Sequence, residues 1–412
     1  NPQSKISNYS SSMKIKSIYV NNFKSLVDFR IDLADFNCLV GLNGSGKSTF
    51  LQFVSFLSQL MVGNLDDWFV KRKWIKDDIV VHRDNKINRE IQFEINFFLA
   101  DKIGSRGECC WKSTFSVDSL CCVGETISIG LWTLKIVPDK QGTKKFVLIN
   151  EEKKQETVSE RITFHYQGSI LTQLADKRVV DKFKKMIDFF RSIQSFDPLS
   201  PHFLKQKSTT AHRSIGLGGE NLAAFLFNLK DEKRSQIVGK IKKIYPAFSF
   251  FRPRLLQDQT KTLEIDEQYY DGTITYTTPA RGINDGLLRM IAMLAQLESD
   301  SPFLLFDEIE NGMNSEVIGF LLSQLIESGK QIVVTTHSPM ILNYLDDKTA
   351  IPGVHFFYKT PEGFTKTFPL LQIPSMKEKL EVMGPGEVFI DTDLVKLSHE
   401  LAENPPTERK EK

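Results

Sequence analysis

Short apolar runs that end at polar residues dominate the pattern of this chain. One ends in Cys38-Leu39-Val40, and two more lie at 303–306 and 331–336, with an amphipathic stretch at 315–327 between them. Continuous apolar runs are typical of strands buried on both faces, and a helix between two such strands predicts a parallel β-α-β unit. These runs therefore predict an α/β protein.

The middle of the chain has a different pattern. Strand-like runs occur at 91–98, 126–136 and 146–149, and helical patterns follow at 171–195 and 221–245. A group of strands followed by a group of helices predicts an α+β lobe inserted into the α/β domain. Because sustained heptads are absent from the sequence, we expect no long coiled coil.

The first apolar run leads into a glycine-rich loop, Gly41-Leu-Asn-Gly-Ser-Gly-Lys-Ser-Thr49, and a helical pattern follows at 50–57. Such a loop closes backbone N–H groups around an anion, its lysine neutralises phosphate charge, and the next hydroxyl is a Mg²⁺ ligand. The loop therefore predicts a nucleoside triphosphate site, with Ser48 on the metal and Lys47 also acting in catalysis. The predicted binding residues are Gly41, Asn43, Gly44, Ser45, Gly46, Lys47, Ser48 and Thr49.

Two carboxylates and a histidine follow the later apolar runs. Asp307 and Glu308 come directly after the run at 303–306, and His337 follows the run at 331–336. Parallel strands bring their carboxyl ends to one sheet edge, so we expect Asp307 to hold Mg²⁺, Glu308 to polarise the attacking water and His337 to reach the γ-phosphate. Taken alone, the acid pair is also typical of ordinary surface residues, and a lone histidine is usually structural.

A second small loop with glycine lies upstream of the acid pair. Asn284, Asp285 and Gly286 lead directly into a long apolar helical pattern at 287–297. Because a helix N-terminus attracts anions, these three residues are predicted to contact phosphate. The alternative is that Asn284 is a plain helix N-cap.

The order of these four segments resembles that of ABC-type ATPases: Walker A, signature, Walker B and switch histidine. The opening stretch Met13–Leu26, with its Asn-Phe-Lys-Ser sequence, resembles the start of RecF, SMC and OLD-type ATPases. Further segments resemble the predicted-ATPase branch that is common in bacterial defence loci, namely 214–225, 284–289, 307–312 and 383–387. The resemblance covers residues 13–61 and about 210–390.

This resemblance implies an ABC-ATPase-like fold, which is a mixed or parallel sheet with flanking helices. The same resemblance implies that the protein hydrolyses ATP with Mg²⁺. It also implies that ATP is held between two copies, with Asn284, Asp285 and Gly286 acting in trans, in a homodimer or a higher even oligomer. We interpret the chain as an ATP-driven switch or sensor in anti-phage defence that works with a separately encoded effector, a nuclease or toxin. The alternatives are a RecF/SMC-like ATPase that clamps DNA and a module that holds ATP without turnover.

Three features depart from the family pattern. Asn284 stands in place of the signature serine, and the stretch after the acid pair reads Gly312-Met-Asn-Ser315. The glutamine that normally monitors the metal is not placed by the sequence: Gln167 is a candidate, although an ordinary polar loop residue is the favoured interpretation. These changes remove no catalytic group but are compatible with slow turnover.

The spacing of the motifs predicts the domain organisation of the 412 residues, 41% of which are hydrophobic. We expect a flexible leader at 1–12, the N-terminal part of the ATPase domain at 13–61, an inserted lobe at 62–210, the C-terminal part at 211–390, and a terminal helix and tail at 391–412. The sequence has no apolar run of membrane-spanning length and no secretory pattern, which predicts a cytoplasmic protein.

Charge and cysteines leave two questions open. The formal net charge of +2 indicates no nucleic-acid partner by itself, and basic clusters at 71–76, 177–185 and 240–243 suit either phosphate contacts or solvated helix faces. Four of the five cysteines form two adjacent pairs, Cys109-Cys110 and Cys121-Cys122. Because neighbouring residues on a strand point to opposite faces, buried thiols are favoured over a zinc site.

Overall fold

The computed structural model describes residues 13–83, 86–100, 106–139, 143–174, 177–197, 199–209 and 214–403. The predicted leader at 1–12 and the predicted tail from 404 onward lie outside the described residues. The strands are β1 Met13–Asn21, β2 Phe29–Asp32, β3 Phe36–Gly41, β4 His82–Arg83, β5 Lys86–Ile87, β6 Glu90–Ala100, β7 Arg106–Ser116, β8 Cys121–Ile129, β9 Trp132–Pro138, β10 Lys144–Asn150, β11 Gln155–Arg161, β12 Gln194–Phe196, β13 Phe248–Leu255, β14 Lys261–Tyr269, β15 Ile274–Pro279, β16 Phe303–Phe306, β17 Gln331–Thr335, β18 Val354–Lys359 and β19 Thr365–Pro369.

The helices are mostly short, and the longest of the described ones have 16 residues each. They are α1 Lys47–Val62, α2 Leu65–Arg72, α3 Lys177–Ser192, α4 Pro201–Leu204, α5 Leu222–Asn228, α6 Asp231–Lys242, α7 Asp285–Leu297, α8 Ser315–Ile326, α9 Asp347–Gly353, α10 Pro374–Lys379, α11 Pro385–Ile390 and α12 Leu394–Glu403. No long coiled coil is therefore found in the part of the chain that the structure describes. In that part, no helix combines the length and apolarity that a membrane span requires.

A six-stranded sheet forms the centre of the molecule, in the order β12-β16-β17-β3-β18-β19. The first five strands are parallel, and β19 pairs with β18 in antiparallel orientation. Strands β3, β16 and β17 are buried along their whole length, as their continuous apolar sequences predict. Their carboxyl ends therefore meet at one edge of the sheet.

An eight-stranded antiparallel sheet covers the other part of the molecule, in the order β11-β10-β9-β8-β7-β6-β1-β2. Strand β6 pairs with β1 from Met13 to Asn21, so the strands of the region 62–210 extend the sheet that β1 and β2 begin. Aromatic side chains of α1, including Phe53 and Phe56, pack within the same hydrophobic core as this sheet. The phosphate-loop helix thus joins the two sheets.

Three predicted elements differ from the structure, and one of them, the helical pattern at 221–245, is divided between α5 and α6. The strand-like run at 126–136 is divided between β8 and β9 by a turn in which Gly130 has a φ of 55°, a conformation that glycine adopts readily. The helical pattern at 171–195 is also too long, because α3 ends at Ser192 and its last predicted residues belong to strand β12. A three-residue strand is too short for its period to be recognised in a sequence.

The cysteines do not converge. Cys109 pairs with Ile129 at one end of the β7–β8 hairpin, whereas Cys121 and Cys122 lie at the other end, opposite Ser116 and Phe115. Burial raises the pKa of Cys110 to about 11 and that of Cys122 well above its usual value, so both remain thiols near neutral pH. No metal-binding group of three or more histidine, cysteine or acidic residues occurs among the described residues.

Candidate nucleotide site

The phosphate loop lies between β3 and α1, as the sequence predicts. Gly44 and Gly46 have φ values of 75° and 107°, which other residues rarely adopt, and Gly46 is the N-cap of α1. The loop borders a cavity of about 600 Å³. The lining residues are Asn43, Gly44, Ser45, Gly46, Lys47, Ser48, Thr49, Glu308 and His337. Gly41 ends β3 at the base of the loop and does not line this cavity.

The ammonium group of Lys47 lies against the loop. Its Nζ donates to the carbonyl oxygens of Gly41 at 2.9 Å and Leu42 at 3.2 Å. Burial lowers the pKa of Lys47, and the nearby carboxylates of Asp307, Glu310 and Glu308 oppose that shift. The loop itself offers this buried cation only carbonyl oxygens. A phosphate group in the cavity would supply the anionic partner.

Thr335, the last residue of β17, holds the acid pair in place. Its hydroxyl donates to Oδ1 of Asp307 and accepts the backbone N–H of Glu308 at 2.8 Å. Glu308 has a φ of 49°, a strained conformation for a residue with a side chain, and its Oε2 accepts from Asn311 Nδ2 at 3.4 Å. Thr335 was not predicted as a site residue, because no sequence pattern distinguishes it from other threonines in strands.

His337 is exposed at the cavity, where the sequence analysis expects it. Its backbone N–H donates to Oε1 of Glu310 at 2.6 Å, and the N–H of Ile309 donates to the carbonyl oxygen of Thr335 at 3.2 Å. These two hydrogen bonds, together with the two that Thr335 forms to the acid pair, tie the turn after β16 to the end of β17. Glu310 is a second residue that the sequence analysis missed.

Strand β12 brings a further carboxylate to the same edge. Phe196 pairs with Phe306, and the N–H of Asp307 donates to the carbonyl oxygen of Phe196 at 3.1 Å, so Asp197 follows β12 as Asp307 follows β16. Burial raises the pKa of Asp197, Arg72 at 3.8 Å lowers it, and the charge of Asp307 raises it further. No spacing rule connects Asp197 to the nucleotide motifs, and the sequence analysis did not select it.

Gln167 lies away from this edge of the sheet, at the N-terminus of α2. Its Oε1 accepts the N–H of Leu65 at 2.8 Å, and its Nε2 donates to Asp66 at 2.6 Å. Both polar atoms are thus engaged in a local structural role. This favours the interpretation of Gln167 as an ordinary polar loop residue.

The predicted signature residues form the start of α7. Asn284 caps this helix, since its Oδ1 accepts the N–H of Leu287 at 3.1 Å, and Asp285 forms an ion pair with Lys205 at 2.7 Å. Asn284 and Asp285 are exposed, and Gly286 is buried. None of the three lines the phosphate cavity of the same chain, as far as the described residues show.

A buried arginine connects α7 to the turn that follows Glu308. Arg289 donates from Nε to the carbonyl oxygen of Leu199 at 2.8 Å and from Nη1 to the carbonyl oxygen of Asn311. Burial lowers the pKa of Arg289, whereas the charges of Asp285 and Glu308 raise it. One side chain of α7 therefore holds both the segment after β12 and the turn after Glu308.

Two donors near the phosphate loop fit a magnesium ion. Ser48 lines the cavity and offers an exposed hydroxyl at the start of α1. Asp307 does not line the cavity, but it lies close enough to Lys47 to raise the pKa of that lysine, and it offers a carboxylate of which one oxygen is engaged by Thr335. Hydroxyl and carboxylate oxygens are the ligands that Mg²⁺ prefers, and its remaining positions are usually filled by water and phosphate. Ser48 and Asp307 are therefore the residues that would hold the metal.

These features define a P-loop nucleotide-binding fold, with a phosphate loop, an acid pair and a histidine at one edge of a parallel sheet. The chain belongs to the AAA ATPase domain family, whose model matches residues 13–246. A second family model, described as "AAA domain, putative AbiEii toxin, Type IV TA system", matches residues 212–343.

Solved structures of SMC head domains share the fold. One SMC head, bound to the C-winged helix domain of ScpA, is 16% identical over 88% of this chain and 99% of that chain, with a TM-score of 0.50. The Pyrococcus furiosus SMC head with an extended coiled coil is 13% identical over 90% of this chain and 100% of that chain, with a TM-score of 0.51. The predicted ABC-ATPase-like fold is therefore confirmed. Comparison with curated proteins gives no match.

Proposed function

We propose that this protein is an ATP-hydrolysing switch in which two copies close head-to-tail on two molecules of Mg²⁺-ATP. One observation carries the proposal: the phosphate loop, Glu308 and His337 line one cavity, whereas Asn284 and Asp285 are exposed and do not line it. An exposed helix N-terminus with a small polar loop suits a phosphate that belongs to a neighbouring copy. Each copy would then supply half of each site.

The residues at the cavity have distinct roles in this reaction. Lys47 and the backbone of residues 41–49 hold the phosphates, and Ser48 and Asp307 hold the metal, which neutralises charge on the phosphates. Glu308 accepts a proton from the attacking water, whose oxygen bonds to the γ-phosphorus as the bond to the ADP oxygen breaks. His337 contacts the γ-phosphate. The products are ADP and inorganic phosphate.

Closure of the pair is the proposed output. The contacts between Asn284, Asp285 or Gly286 and the partner's nucleotide exist only in the closed dimer, so ATP binding shifts the population toward that state. Hydrolysis removes the γ-phosphate and reverses the shift. A module that merely stores ATP would show no such cycle.

Complementation between two defective variants tests whether the sites are shared. Lys47→Ala removes phosphate binding, and Asn284→Asp keeps a helix cap but places a carboxylate against the partner's γ-phosphate. Each variant alone should lose ATPase activity. A mixture should recover part of it, because a mixed dimer contains one site that has both Lys47 and Asn284. If the mixture stays inactive although co-purification of two differently tagged variants recovers mixed dimers, the proposal is wrong.

Glu308→Gln provides an independent test. The amide cannot accept the proton of the attacking water, so Mg²⁺-ATP should remain bound and the dimer should persist. Size-exclusion chromatography with light scattering should show a dimer with ATP and a monomer with ADP. Lys47→Ala is the matched control, which should stay monomeric with either nucleotide. A Glu308→Gln variant that stays monomeric with bound ATP would contradict the switch.

We further propose that a separately encoded effector, a nuclease or toxin, receives this output in a defence system. The description of the second family model, which covers residues 212–343, names a toxin-antitoxin system, and this association motivates the proposal although it identifies no separate effector. Some cations of the predicted basic clusters are also engaged within the chain: Arg72 lies near Asp197, Lys240 pairs with Glu298 at 3.2 Å, and Lys182 lies over the Trp132 ring at 4.3 Å.

The alternative use is a DNA clamp. DNA affinity measured across a salt series separates the two uses, since a clamp that neutralises many phosphates should lose affinity steeply as salt rises. We expect weak binding to DNA in the ATP-bound dimer. Strong binding with a steep salt slope would favour the RecF/SMC-like function instead.

A further inference from the structure

A buried threonine contacts the phosphate loop from the side of strand β19. Thr365 is fully buried, and its hydroxyl donates to the carbonyl oxygen of Ser45 at 2.9 Å. Lys359 Nζ donates to the same hydroxyl oxygen at 3.1 Å, and Ser25 Oγ lies 2.8 Å from it. Neither Thr365 nor Lys359 belongs to the nucleotide motifs, and nothing in the proposed reaction uses them.

The chemistry of the three partners determines the direction of these hydrogen bonds. A threonine hydroxyl has one proton to donate and two lone pairs that accept. The ammonium group of Lys359 only donates, and it occupies one lone pair of Thr365. With the proton of Thr365 directed to Ser45, the hydroxyl of Ser25 fills the second lone pair as a donor. The Thr365 hydroxyl is therefore fully satisfied in a single orientation.

Anchoring the carbonyl of Ser45 also orients the next N–H group. The carbonyl of Ser45 and the N–H of Gly46 belong to one planar trans peptide, in which the two groups point in opposite directions. Because the carbonyl is held toward Thr365, the N–H of Gly46 points away from Thr365, and Gly46 lines the cavity on the other side. That is the side on which phosphate oxygens are bound.

The hairpin of β18 and β19 touches the loop closely at two glycines. A Cβ atom on Gly46 would lie 2.1 Å from Thr365 Oγ1, and a Cβ atom on Gly41 would lie 2.2 Å from the carbonyl oxygen of Phe357. Such distances leave no room for a side chain at either position. The shape of the loop is therefore set by the hairpin behind it as well as by its own sequence.

We infer that Thr365 is a positioning residue for phosphate binding: it holds the Ser45–Gly46 peptide so that the N–H of Gly46 faces the phosphates. Ser25 and Lys359 hold the Thr365 hydroxyl in the orientation that this requires. Thr365 itself does not touch the nucleotide. The inference rests on the proposed function only in that the site binds Mg²⁺-ATP.

The test compares three variants of strand β19. Thr365→Val keeps the shape of the side chain and removes the hydroxyl, Thr365→Ser retains the hydroxyl, and Thr367→Val removes a hydroxyl that donates to the carbonyl oxygen of Phe356 at 3.1 Å, away from the loop. Affinity for Mg²⁺-ATP is measured with a fluorescent ATP analogue, alongside the ATPase rate and the urea midpoint.

We expect Thr365→Val to weaken Mg²⁺-ATP binding at least tenfold (about 1.4 kcal/mol) and to raise KM with little change in kcat at saturating ATP. Thr365→Ser should restore most of the affinity. Thr367→Val should lower the urea midpoint while it binds ATP as the unmodified protein does, because its hydroxyl does not reach the loop.

Equal ATP affinity in Thr365→Val and Thr367→Val, at a temperature where both are folded, would overturn the inference. If Thr365→Val does not fold, Ser25→Ala carries the test, because it removes one of the two donors that orient the hydroxyl and should weaken ATP binding severalfold. Unchanged affinity in Ser25→Ala would then count against the inference. Failure of the unmodified protein to bind Mg²⁺-ATP would instead contradict the proposed function.

Discussion

Replacing Thr335 with valine would show whether a neighbouring strand holds the acid pair in its working position. The Thr335 side chain is fully buried, and its hydroxyl is both a donor to Asp307 and an acceptor for the N–H of Glu308. Valine has nearly the same shape, so Thr335→Val removes the hydroxyl and little else. Thr335→Ser, which keeps the hydroxyl, is the matched control.

The size of the effect follows from the two hydrogen bonds. A hydrogen bond to an ionised group contributes about 1.5–3 kcal/mol, and a buried N–H without a partner costs about 1–3 kcal/mol. Glu308 is half-buried, so water relieves part of the second cost. We therefore expect Thr335→Val to lower the free energy of unfolding by about 2–4 kcal/mol, with a smaller loss for Thr335→Ser.

Two measurements check this expectation. Urea unfolding followed by circular dichroism gives the change in stability, and ATPase rates across a Mg²⁺ series show whether Asp307 still holds the metal. We expect Thr335→Val to need more Mg²⁺ for half-maximal rate and to hydrolyse ATP more slowly at saturation. A variant with unchanged stability and unchanged metal dependence would refute the role given to the hydroxyl.

Three further expectations concern single residues. Gly46→Ala should abolish ATP binding in a fluorescence titration, because its methyl group would meet Thr365 Oγ1 at 2.1 Å, and retained binding would contradict the geometry. Burial lowers the pKa of His355 from 6.5 to about 4, so the unfolded chain binds more protons than the folded chain between pH 6.5 and pH 4. The free energy of unfolding, measured with urea, should therefore fall by about 3 kcal/mol as the pH is lowered from 6.5 to 4. His355→Leu should lack that part of the pH dependence. Arg289→Met should slow ATP hydrolysis more than it weakens ATP binding, because the guanidinium holds the carbonyl of Asn311 near Glu308, and equal losses in both assays would argue against this link.

The sequence predicts the phosphate loop well because its chemistry lies within nine consecutive residues, from Gly41 to Thr49. The placement of Asp307, Glu308 and His337 at one edge of the sheet was also predictable, since parallel strands deliver their ends to one edge, whereas their roles stay predictions. Both inferences need only local patterns and one rule of sheet geometry.

The remaining parts of the site depend on pairing between distant segments. Asp197 reaches the edge because three residues, Gln194–Phe196, pair with β16, and so short a strand has no recognisable period. The distant Thr365 reaches Ser45 because β19 folds back along β18. Register between strands that are far apart in the chain is decided by tertiary packing, which a single sequence does not reveal.

Thr335 and Thr365 have the same kind of supporting role, because the hydroxyl of each holds a part of the candidate site that lies on another segment. The candidate site contains backbone conformations that residues with side chains rarely adopt, such as the φ of 107° at Gly46 and the φ of 49° at Glu308. A hydroxyl from a neighbouring strand adds a hydrogen bond at each place: Thr335 accepts the N–H of Glu308, and Thr365 donates to the carbonyl oxygen of Ser45. Threonine suits the supporting position, because its branched side chain favours a strand and its hydroxyl can donate and accept at once. Strands β17 and β19 therefore hold the acid pair that follows β16 and the Ser45–Gly46 peptide of the phosphate loop.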